Sequence, residues 1–339
     1  MRPTTTLALS AALLAAGATA SLAEEFSIAH WVPASHPLQP TGLEPWAKSI
    51  EAATEGRVTF AIYPAQQLGA APDHYDMARD GIADVTWINP GYQPGRFPVI
   101  AAGELPFHIT NAKGGSKAID SWYRSYSAEE MSDVYPCMVF LHDPGTIHSK
   151  QPVRVPADVA GKNVRPAHAT MARFVNLLGG ASVQVPAPEA REAIAKGAAD
   201  MITFPWDSIF IFGIDSEVKH HLDMPFYATT FALVINKDRL AALSEADRQV
   251  IADHCTPEWA ETMASGWADA EAAGRQRMID DGSHTLYAPT EEEVALWREA
   301  AAPLVAEWKQ GVAAKGIDAE AAYRSLVETL KANGAYYDE

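Results

Sequence analysis

Aromatic side chains and one arginine stand beside the predicted ends of several strands, and these residues could hold a small molecule. The aromatic residues are Trp31, Trp87, Tyr92, Phe204, Trp206, Phe226 and Tyr227. Small-molecule pockets are mostly apolar and contain a few polar groups in fixed positions. Arg165 is the candidate charged group, because a guanidinium binds a carboxylate or a sulfonate through paired hydrogen bonds. The alternatives are core packing for the aromatic rings and a surface salt bridge for Arg165.

Signatures of catalysis are absent from the sequence. It has no GxSxG turn, no HExxH pair and no phosphate-binding loop. Several histidines are loosely spaced and have no cysteine pair beside them, which favours solvated or capping histidines over a zinc or copper site. They are His30, His36, His142, His148, His168, His220 and His221. We therefore expect no metal, no cofactor and no enzymatic activity.

Alternating strands and helices must position these side chains. Strands are predicted at FSIAHWV, RVTFAIYP and ADVTWIN, with helices over residues 42–54 and around HYDMARD. After the apolar strand CMVFLHD, strands at KNVRPA, ASVQVPAP and ADMITFP alternate with helices at ATMARFVNLLGG and EAREAIAKG. This order predicts an α/β protein in which helices cover parallel sheets.

Two short segments repeat one helix, turn and strand pattern. GIADVTW begins at Gly81 and GAADMIT begins at Gly197, and each follows a helical segment. We predict that they form corresponding strands of two α/β lobes, with chance similarity as the alternative. Ligands bind beyond the carboxyl ends of parallel strands. One shared cleft would then receive His30, Trp31, Trp87, Asn89 and Tyr92 from the first lobe and Arg165, His168, Phe204 and Trp206 from the second.

The last third of the chain is predicted to connect the lobes. MPFYATTFALVIN has the pattern of a long apolar strand that returns to the first lobe. TPEWAETMASGWADAEAAGRQRMI is rich in alanine and has no proline after Pro257, which predicts one long helix able to brace both lobes. Further amphipathic helices follow it.

The first residues and the overall charge indicate where the protein works. Residues 1–23 combine Arg2, an apolar run and small residues before Glu24, which is typical of a Sec signal peptide. No later stretch is long and apolar enough to span a membrane. About 315 residues remain after cleavage, which suits two lobes. The net charge of −17 does not favour nucleic acid or anionic lipid as a partner.

Cys137 and Cys255 would lie in an oxidising compartment after export. A disulfide requires their Cα atoms to lie within about 7 Å, so the sequence leaves two alternatives, a disulfide and two buried thiols.

Seven segments in the same order resemble one known family. They are AHWVPASHP, YPAQQLGA, GIADVTW, GRFPVIAAGELPF, VPADVAGKNVRPAHATMARFVNLLGGASVQVP, GAADMITFPWDS and FALVINKDRLAALSEADRQVI. The chain resembles the DctP-type periplasmic solute-binding proteins of tripartite ATP-independent periplasmic (TRAP) transporters.

The resemblance implies a two-lobe periplasmic binding protein fold with a hinge and a long helix that spans both lobes. The implied divisions are a signal peptide at 1–23, lobe I at 24–145 and 230–270, lobe II at 146–229 and about 271–300, and C-terminal helices at 301–339. It also implies that Arg165 clamps the ligand carboxylate, with Trp87 and Asn89 as first-lobe contacts and His168 nearby. The family often ends its second twinned strand in QENP, whereas this chain has ITFP, so Phe204 replaces an amide.

We therefore expect a receptor in the periplasm that binds a small organic anion with an apolar or aromatic body. It would deliver this anion to TRAP permease membrane subunits, without inserting into the membrane itself. Sialic acid is disfavoured, because HDPGTIHS lacks the second arginine of receptors for that sugar. The alternatives are a receptor of the same fold for an organosulfonate or an uncharged solute, and a periplasmic enzyme that uses the cleft.

Overall fold

The computed structural model describes residues 23–337. The predicted signal peptide therefore lies outside the described residues, except for Ala23. Over the described range the strands are β1 Glu24–Ala29, β2 Val58–Tyr63, β3 Val85–Ile88, β4 Tyr135–Leu141, β5 Thr146–Ser149, β6 Asn163–Arg165, β7 Ala181–Ser182, β8 Met201–Phe204, β9 His220–Leu222, β10 Thr230–Ile235 and β11 Thr285–Tyr287. The α-helices are α1 Glu44–Ala53, α2 His74–Arg79, α3 Ala112–Glu130, α4 Ala169–Leu177, α5 Ala187–Ala195, α6 Ser208–Ile211, α7 Lys237–Ala241, α8 Glu245–Asp253, α9 Pro257–Asp281, α10 Glu291–Ala301, α11 Pro303–Ala313 and α12 Ala319–Ala332.

The first lobe is built around a sheet with the strand order β2-β1-β3-β10-β4. Strands β1, β2 and β3 are parallel, as the alternation of strands and helices predicts. Strand β10 runs antiparallel to both β3 and β4, so the sheet is mixed and not wholly parallel. Every residue of β3 and β10 is buried, because helices cover both faces of the sheet.

The second lobe surrounds a sheet with the order β11-β9-β5-β8-β6-β7. Strands β6, β7 and β8 are parallel, whereas β5 runs antiparallel to β8 and β9. The repeated segments form β3 and β8, so the prediction of corresponding strands is confirmed. Each follows a glycine at positive φ, Gly81 at 71° and Gly197 at 76°, which ends the preceding helix at low conformational cost.

Helix α9 contacts both lobes, which confirms the long bracing helix. It packs on α3 and β4 of the first lobe and on α6 of the second. A methyl group at Gly266 would overlap with Thr41, and one at Gly274 would overlap with the backbone of Asp207. The two glycines therefore permit close approach of α9 to each lobe.

The C-terminal helices cover the outer surfaces of both lobes. Helix α12 packs on α3, where the Trp122 indole N–H donates to the Ala322 carbonyl at 3.0 Å. Helices α10 and α11 pack on α4 of the second lobe. Within residues 23–337 no helix combines the length and the apolar character that crossing a bilayer requires.

A disulfide joins Cys137 of β4 to Cys255, two residues before α9 begins, with a Cα–Cα distance of 4.6 Å. This bond settles the alternative that the sequence leaves open. It links positions 118 residues apart and therefore restricts the unfolded chain. We expect the double substitution Cys137→Ala with Cys255→Ala to lower the free energy of unfolding by about 2–4 kcal/mol. Urea denaturation would measure this, and a midpoint equal to that of the oxidised wild type would contradict it.

Candidate ligand-binding site

A small cavity lies between the two lobes, beyond the carboxyl ends of β3, β6 and β8. Its volume is about 30 Å³, enough for roughly two water molecules. The residues that line it are Trp31, Val32, His36, Trp87, Asn89, Tyr92, His142, Arg165, Ala167, Ala187, Phe204, Pro205, Ser208, Phe212, Thr229, Phe231 and Trp267. The lobes are therefore closed around a narrow space with a mostly aromatic lining.

Arg165 supplies the positive charge of this cavity. It is the last residue of β6 and is only 1% exposed. Its Nε donates to the Val185 carbonyl at 2.9 Å, and its guanidinium carbon lies 5.4 Å from the centre of the Phe204 ring. Within residues 23–337 no carboxylate forms an ion pair with it. A buried guanidinium without an acidic partner is unfavourable, so this site suits an anionic ligand.

Tyr92 is a second hydrogen-bond donor beside Arg165. Its hydroxyl oxygen accepts from the Ala187 backbone N–H at 2.9 Å and lies 3.5 Å from Nη2 of Arg165. Because both of these neighbours are donors, the hydroxyl hydrogen remains free for a ligand. The pair of side chains can therefore donate several hydrogen bonds to one carboxylate.

Stacked aromatic rings form a wall next to this donor group. Trp31 and Trp87 stack with their ring centres 4.3 Å apart and their planes 12° apart. Phe231 and Trp267 lie 4.8 Å and 6.0 Å from Trp87. The indole nitrogens of Trp31 and Trp87 are buried without a hydrogen-bond partner in the described chain. This wall suits a flat apolar group that carries acceptors at its edge.

Uncharged polar groups complete the lining. Burial lowers the pKa of both His36 and His142 to about 3, so neither ring is charged at neutral pH. The backbone N–H of Leu38 donates to Nδ1 of His36 at 3.2 Å, which leaves the ring hydrogen on Nε2. Among the residues that line the cavity, Arg165 is therefore the charged one.

The structure brings six of the predicted site residues to this cavity: Trp31, Trp87, Asn89, Tyr92, Arg165 and Phe204. Asn89 also holds the lobes together. Its side-chain oxygen accepts from the Gly91 N–H at 2.9 Å, and its amide donates to the Ala167 carbonyl of the second lobe at 3.4 Å.

Four of the predicted site residues do not line the cavity. His30 adjoins Trp31 and points to the other side of the chain, where its Nε2 lies 3.0 Å from the Gln39 side chain. His168 caps α4 through the Met171 N–H at 3.3 Å. Tyr227 packs against the rings of His142 and His168 at 5.6 Å and 5.8 Å.

Trp206 is displaced because β8 ends at Phe204 and the chain then turns into α6. Its ring packs edge-on against His148 at 5.2 Å, away from the cavity. Ser208, two residues later, lines the cavity instead.

Several lining residues have no counterpart among the predicted ones. They are Val32, His36, His142, Ala167, Ala187, Pro205, Ser208, Phe212, Thr229, Phe231 and Trp267. Sequence reasoning considered His36 and His142 as metal ligands or as solvated or capping residues. Within residues 23–337 no group of His, Cys, Asp or Glu side chains is arranged to hold a metal ion. One feature of the sequence could have placed Trp267 in the site: it lies in the middle of a helix predicted to contact both lobes.

A chain of three histidines lies behind Phe204. Nε2 of His148 lies 3.0 Å from the Phe204 carbonyl oxygen, which can only accept, so Nε2 carries a hydrogen. Nδ1 of His148 lies 2.6 Å from Nδ1 of His221, and Nε2 of His221 lies 2.8 Å from Nδ1 of His284. Three neutral rings give a consistent chain of hydrogen bonds, in which Lys219 donates to Nε2 of His284 at 3.3 Å. Burial and neighbouring histidines lower the pKa values of His148 and His221 to about 3 and about 2.

A larger cavity of about 380 Å³ lies between α4, α11 and the loop around residues 90–105. Its charged groups already have partners. Arg173 pairs with Glu307 at 2.7 Å, and Glu104 accepts from the Thr170 hydroxyl at 2.9 Å. This cavity therefore lacks the unpaired cation that marks the smaller one.

Comparison with known proteins places the chain in a family. The family model for the bacterial extracellular solute-binding proteins of family 7, named DctP, matches residues 28–311. A TRAP solute-binding protein from Rhodoferax ferrireducens, solved with copurified benzoate, is similar with a TM-score of 0.87 and 26% identity. That alignment covers 92% of this chain and 98% of the Rhodoferax protein.

Two further solved structures are similar over nearly the whole chain. A TRAP periplasmic solute-binding protein from Bordetella bronchiseptica, with bound (R)- and (S)-mandelate, has a TM-score of 0.86 and 30% identity, covering 91% of this chain and 99% of that one. A marine metagenome TRAP protein specific for aromatic acids, solved with 3-hydroxybenzoate, has a TM-score of 0.86 and 27% identity, covering 94% and 100%. The family match and the two-lobe fold agree with the resemblance seen in the sequence. This chain belongs to the DctP family of TRAP-transporter solute-binding proteins.

Proposed function

We propose that this receptor binds a small aromatic carboxylate in the cavity between its lobes and delivers it to the membrane subunits of a TRAP transporter. The observation that carries this proposal is the buried, unpaired guanidinium of Arg165 at one end of an aromatic cavity. Arg165 and the Tyr92 hydroxyl would bind the carboxylate. Trp31, Trp87 and Phe204 would enclose the ring.

The ligands of three similar proteins support this chemical class. Benzoate, mandelate and 3-hydroxybenzoate are each a monocarboxylate attached to or near one aromatic ring. Such a molecule matches a lining with one cation and several aromatic side chains. A second carboxylate would have no cation to pair with among the lining residues.

Ligand entry requires the lobes to open. The cavity of about 30 Å³ is too small for an aromatic acid, and Arg165 is almost wholly buried. A ligand that contacts both lobes has higher affinity for the closed form and therefore shifts the population towards it.

The proposed location is the periplasm, reached through cleavage of the signal peptide at residues 1–23. Membership of an extracellular solute-binding family supports export. Delivery to TRAP membrane subunits is proposed from the same family membership.

A thermal-shift screen tests the proposal. The mature protein is refolded to remove copurified ligand and heated with benzoate, hydroxybenzoates, mandelate, sugar acids, benzenesulfonate or benzamide. An aromatic acid at one hundred times its Kd should stabilise the folded state by about 2.7 kcal/mol. A response to the sulfonate alone would favour the organosulfonate receptor, and a response to the amide alone would favour an uncharged solute. Mass spectrometry of the incubated acid would reveal turnover by an enzyme.

A further inference from the structure

Ser208 lines the cavity, and its hydroxyl hydrogen is used in a hydrogen bond within the protein. Its Oγ donates to Oε1 of Glu271 at 2.5 Å, and the indole N–H of Trp267 donates to the same oxygen at 2.6 Å. Oε2 of Glu271 accepts from the backbone N–H groups of Asp207 and Ser208. Three of these four donors are N–H groups, which cannot accept a hydrogen bond, so they favour the ionised carboxylate. Ser208 therefore offers only an acceptor oxygen to the cavity.

The hydroxyl hydrogen of Thr229 is also used in a hydrogen bond within the protein. Nδ1 of His142 lies 2.6 Å from the Asp143 carbonyl oxygen and must carry the ring hydrogen. Because the ring is neutral, its Nε2 is a bare acceptor, and it lies 2.8 Å from Oγ1 of Thr229. The Thr229 hydroxyl therefore donates to His142, and in this lining residue the oxygen can act only as an acceptor.

His36 places a donor in the same region. Its Nε2 carries the ring hydrogen and forms no hydrogen bond within the described residues. The His36 ring centre lies 4.7 Å from that of Trp267, and the His142 ring centre lies 5.7 Å from Trp267. Both histidine rings therefore contact Trp267 of α9, whose indole N–H shares the Glu271 carboxylate with the Ser208 hydroxyl.

This polar group and Arg165 contact different residues of the cavity lining. Arg165 contacts Tyr92 and Phe204. From Tyr92 the rings continue to Trp31 at 5.8 Å, to Trp87 at 4.3 Å and to Trp267 at 6.0 Å. A shorter route runs from Phe204 to Phe212 at 5.4 Å and on to His36 at 6.5 Å. By either route at least two aromatic rings lie between Arg165 and the polar group, which therefore lies away from the guanidinium.

We infer, on the basis of the receptor function proposed above, that the ligand is an aromatic acid with a hydroxyl group on the ring, remote from the carboxylate. This hydroxyl would donate to Ser208 or Thr229 and accept from Nε2 of His36. An unsubstituted ring would leave these groups unsatisfied. A methoxy group could accept from His36 but could donate to neither oxygen. A hydroxyl next to the carboxylate, as in mandelate, would lie at the wrong end.

Calorimetric titration at pH 8 tests this inference. Burial raises the pKa of Glu271 to about 7, so its carboxyl is ionised at this pH and Ser208 must donate to it. The ligands are benzoate, 3- and 4-hydroxybenzoate, and 3- and 4-methoxybenzoate. We expect the better hydroxybenzoate to bind about tenfold more tightly than benzoate, as for one added hydrogen bond between otherwise unpaired groups. The methoxy acids should show no such gain.

Variants test whether the higher affinity for the hydroxybenzoate comes from the hydroxyl oxygens of Ser208 and Thr229. In the double variant Ser208→Ala with Thr229→Val, the hydroxybenzoate and benzoate affinities should become equal within about twofold. The two single variants show which oxygen contributes, and either one serves if the double variant does not fold. Ser216→Ala, an exposed serine in the same lobe, is the matched control and should keep the tenfold ratio.

Each result separates this inference from the receptor proposal. Binding of benzoate and the hydroxy acids with equal affinity in the wild type overturns the inference alone. A tenfold ratio that survives in the variants also overturns it. If none of these acids binds the wild type, the receptor proposal fails and this inference fails with it.

Discussion

Replacement of Arg165 by alanine is expected to weaken binding of the carboxylate ligand by about 2–5 kcal/mol, or about 30- to 5,000-fold in Kd. The loss is large because the ligand carboxylate would enter a buried, mostly aromatic cavity with no other charge to pair with. Arg165→Lys should recover only part of the affinity, since an ammonium cannot form the paired hydrogen bonds of a guanidinium. Titration calorimetry with the best acid from the screen measures both effects.

Two control variants separate loss of binding from loss of folding. Arg165→Met keeps an apolar side chain beside Phe204 and removes an unpaired buried charge, so the ligand-free protein should melt at or above the wild-type temperature. Arg173→Ala removes an exposed arginine of the same lobe that pairs with Glu307 at 2.7 Å. It should bind ligand normally. Wild-type affinity in Arg165→Ala would remove Arg165 from the site.

Stability is expected to fall steeply as the pH drops from 7.5 to 5. Burial lowers the pKa values of several histidines far below the ordinary value of 6.5: His30 to about 4, His36, His142 and His148 to about 3, and His221 to about 2. Below pH 6.5 the unfolded chain binds protons that the folded chain does not, so the free energy of unfolding decreases with falling pH.

The size of this loss of stability depends on how far the pH lies below 6.5, the ordinary pKa of histidine. At pH 5 each such histidine removes about 2 kcal/mol, and together they remove on the order of 10 kcal/mol, similar to the whole stability of a typical domain. Glu271 acts in the opposite direction, because its raised pKa makes the folded state bind a proton between about pH 7 and its ordinary range. One carboxyl offsets only part of the loss from these histidines.

Urea denaturation at pH 7.5 and pH 5 measures the effect. His148→Asn should be less stable than the wild type at pH 7.5, but should lose about 2 kcal/mol less between the two pH values. Lys48→Ala, an exposed substitution, should show the wild-type loss. Equal stability of the wild type at both pH values would contradict the prediction.

The sequence predicted the elements that have strong local signals. The repeated GIADVTW and GAADMIT segments predicted β3 and β8, and the alanine-rich stretch predicted α9. Strands β5, β9 and β11 escaped prediction because they stand outside the alternation of strands and helices from which the equally short β3, β6 and β8 were predicted. The antiparallel direction of β10 depends on where the chain returns from the second lobe, which no local pattern records.

The sequence predicted the part of the cavity that strand ends form, but not the part that α9 forms. Arg165, Trp87 and Phe204 lie at or next to strand ends, so a rule about parallel sheets located them. Trp267 depends on which turn of α9 faces the cleft, and that is set by packing of the helix on both lobes. Trp206 was assigned to the cleft because the predicted strand was extended past Phe204.

The attachment of α9 determines how the receptor discriminates between ligands. Its first half is fixed to the first lobe by the disulfide at Cys255 and by the Lys113–Asp269 pair at 2.7 Å. Its second half is fixed to the second lobe, because Glu271 accepts from Ser208 and Arg275 pairs with Asp223. In the proposed mechanism, an acid would first meet the separated lobes, and the full lining would surround its far end only on closure. Preferred and rejected acids would therefore differ in dissociation rate much more than in association rate.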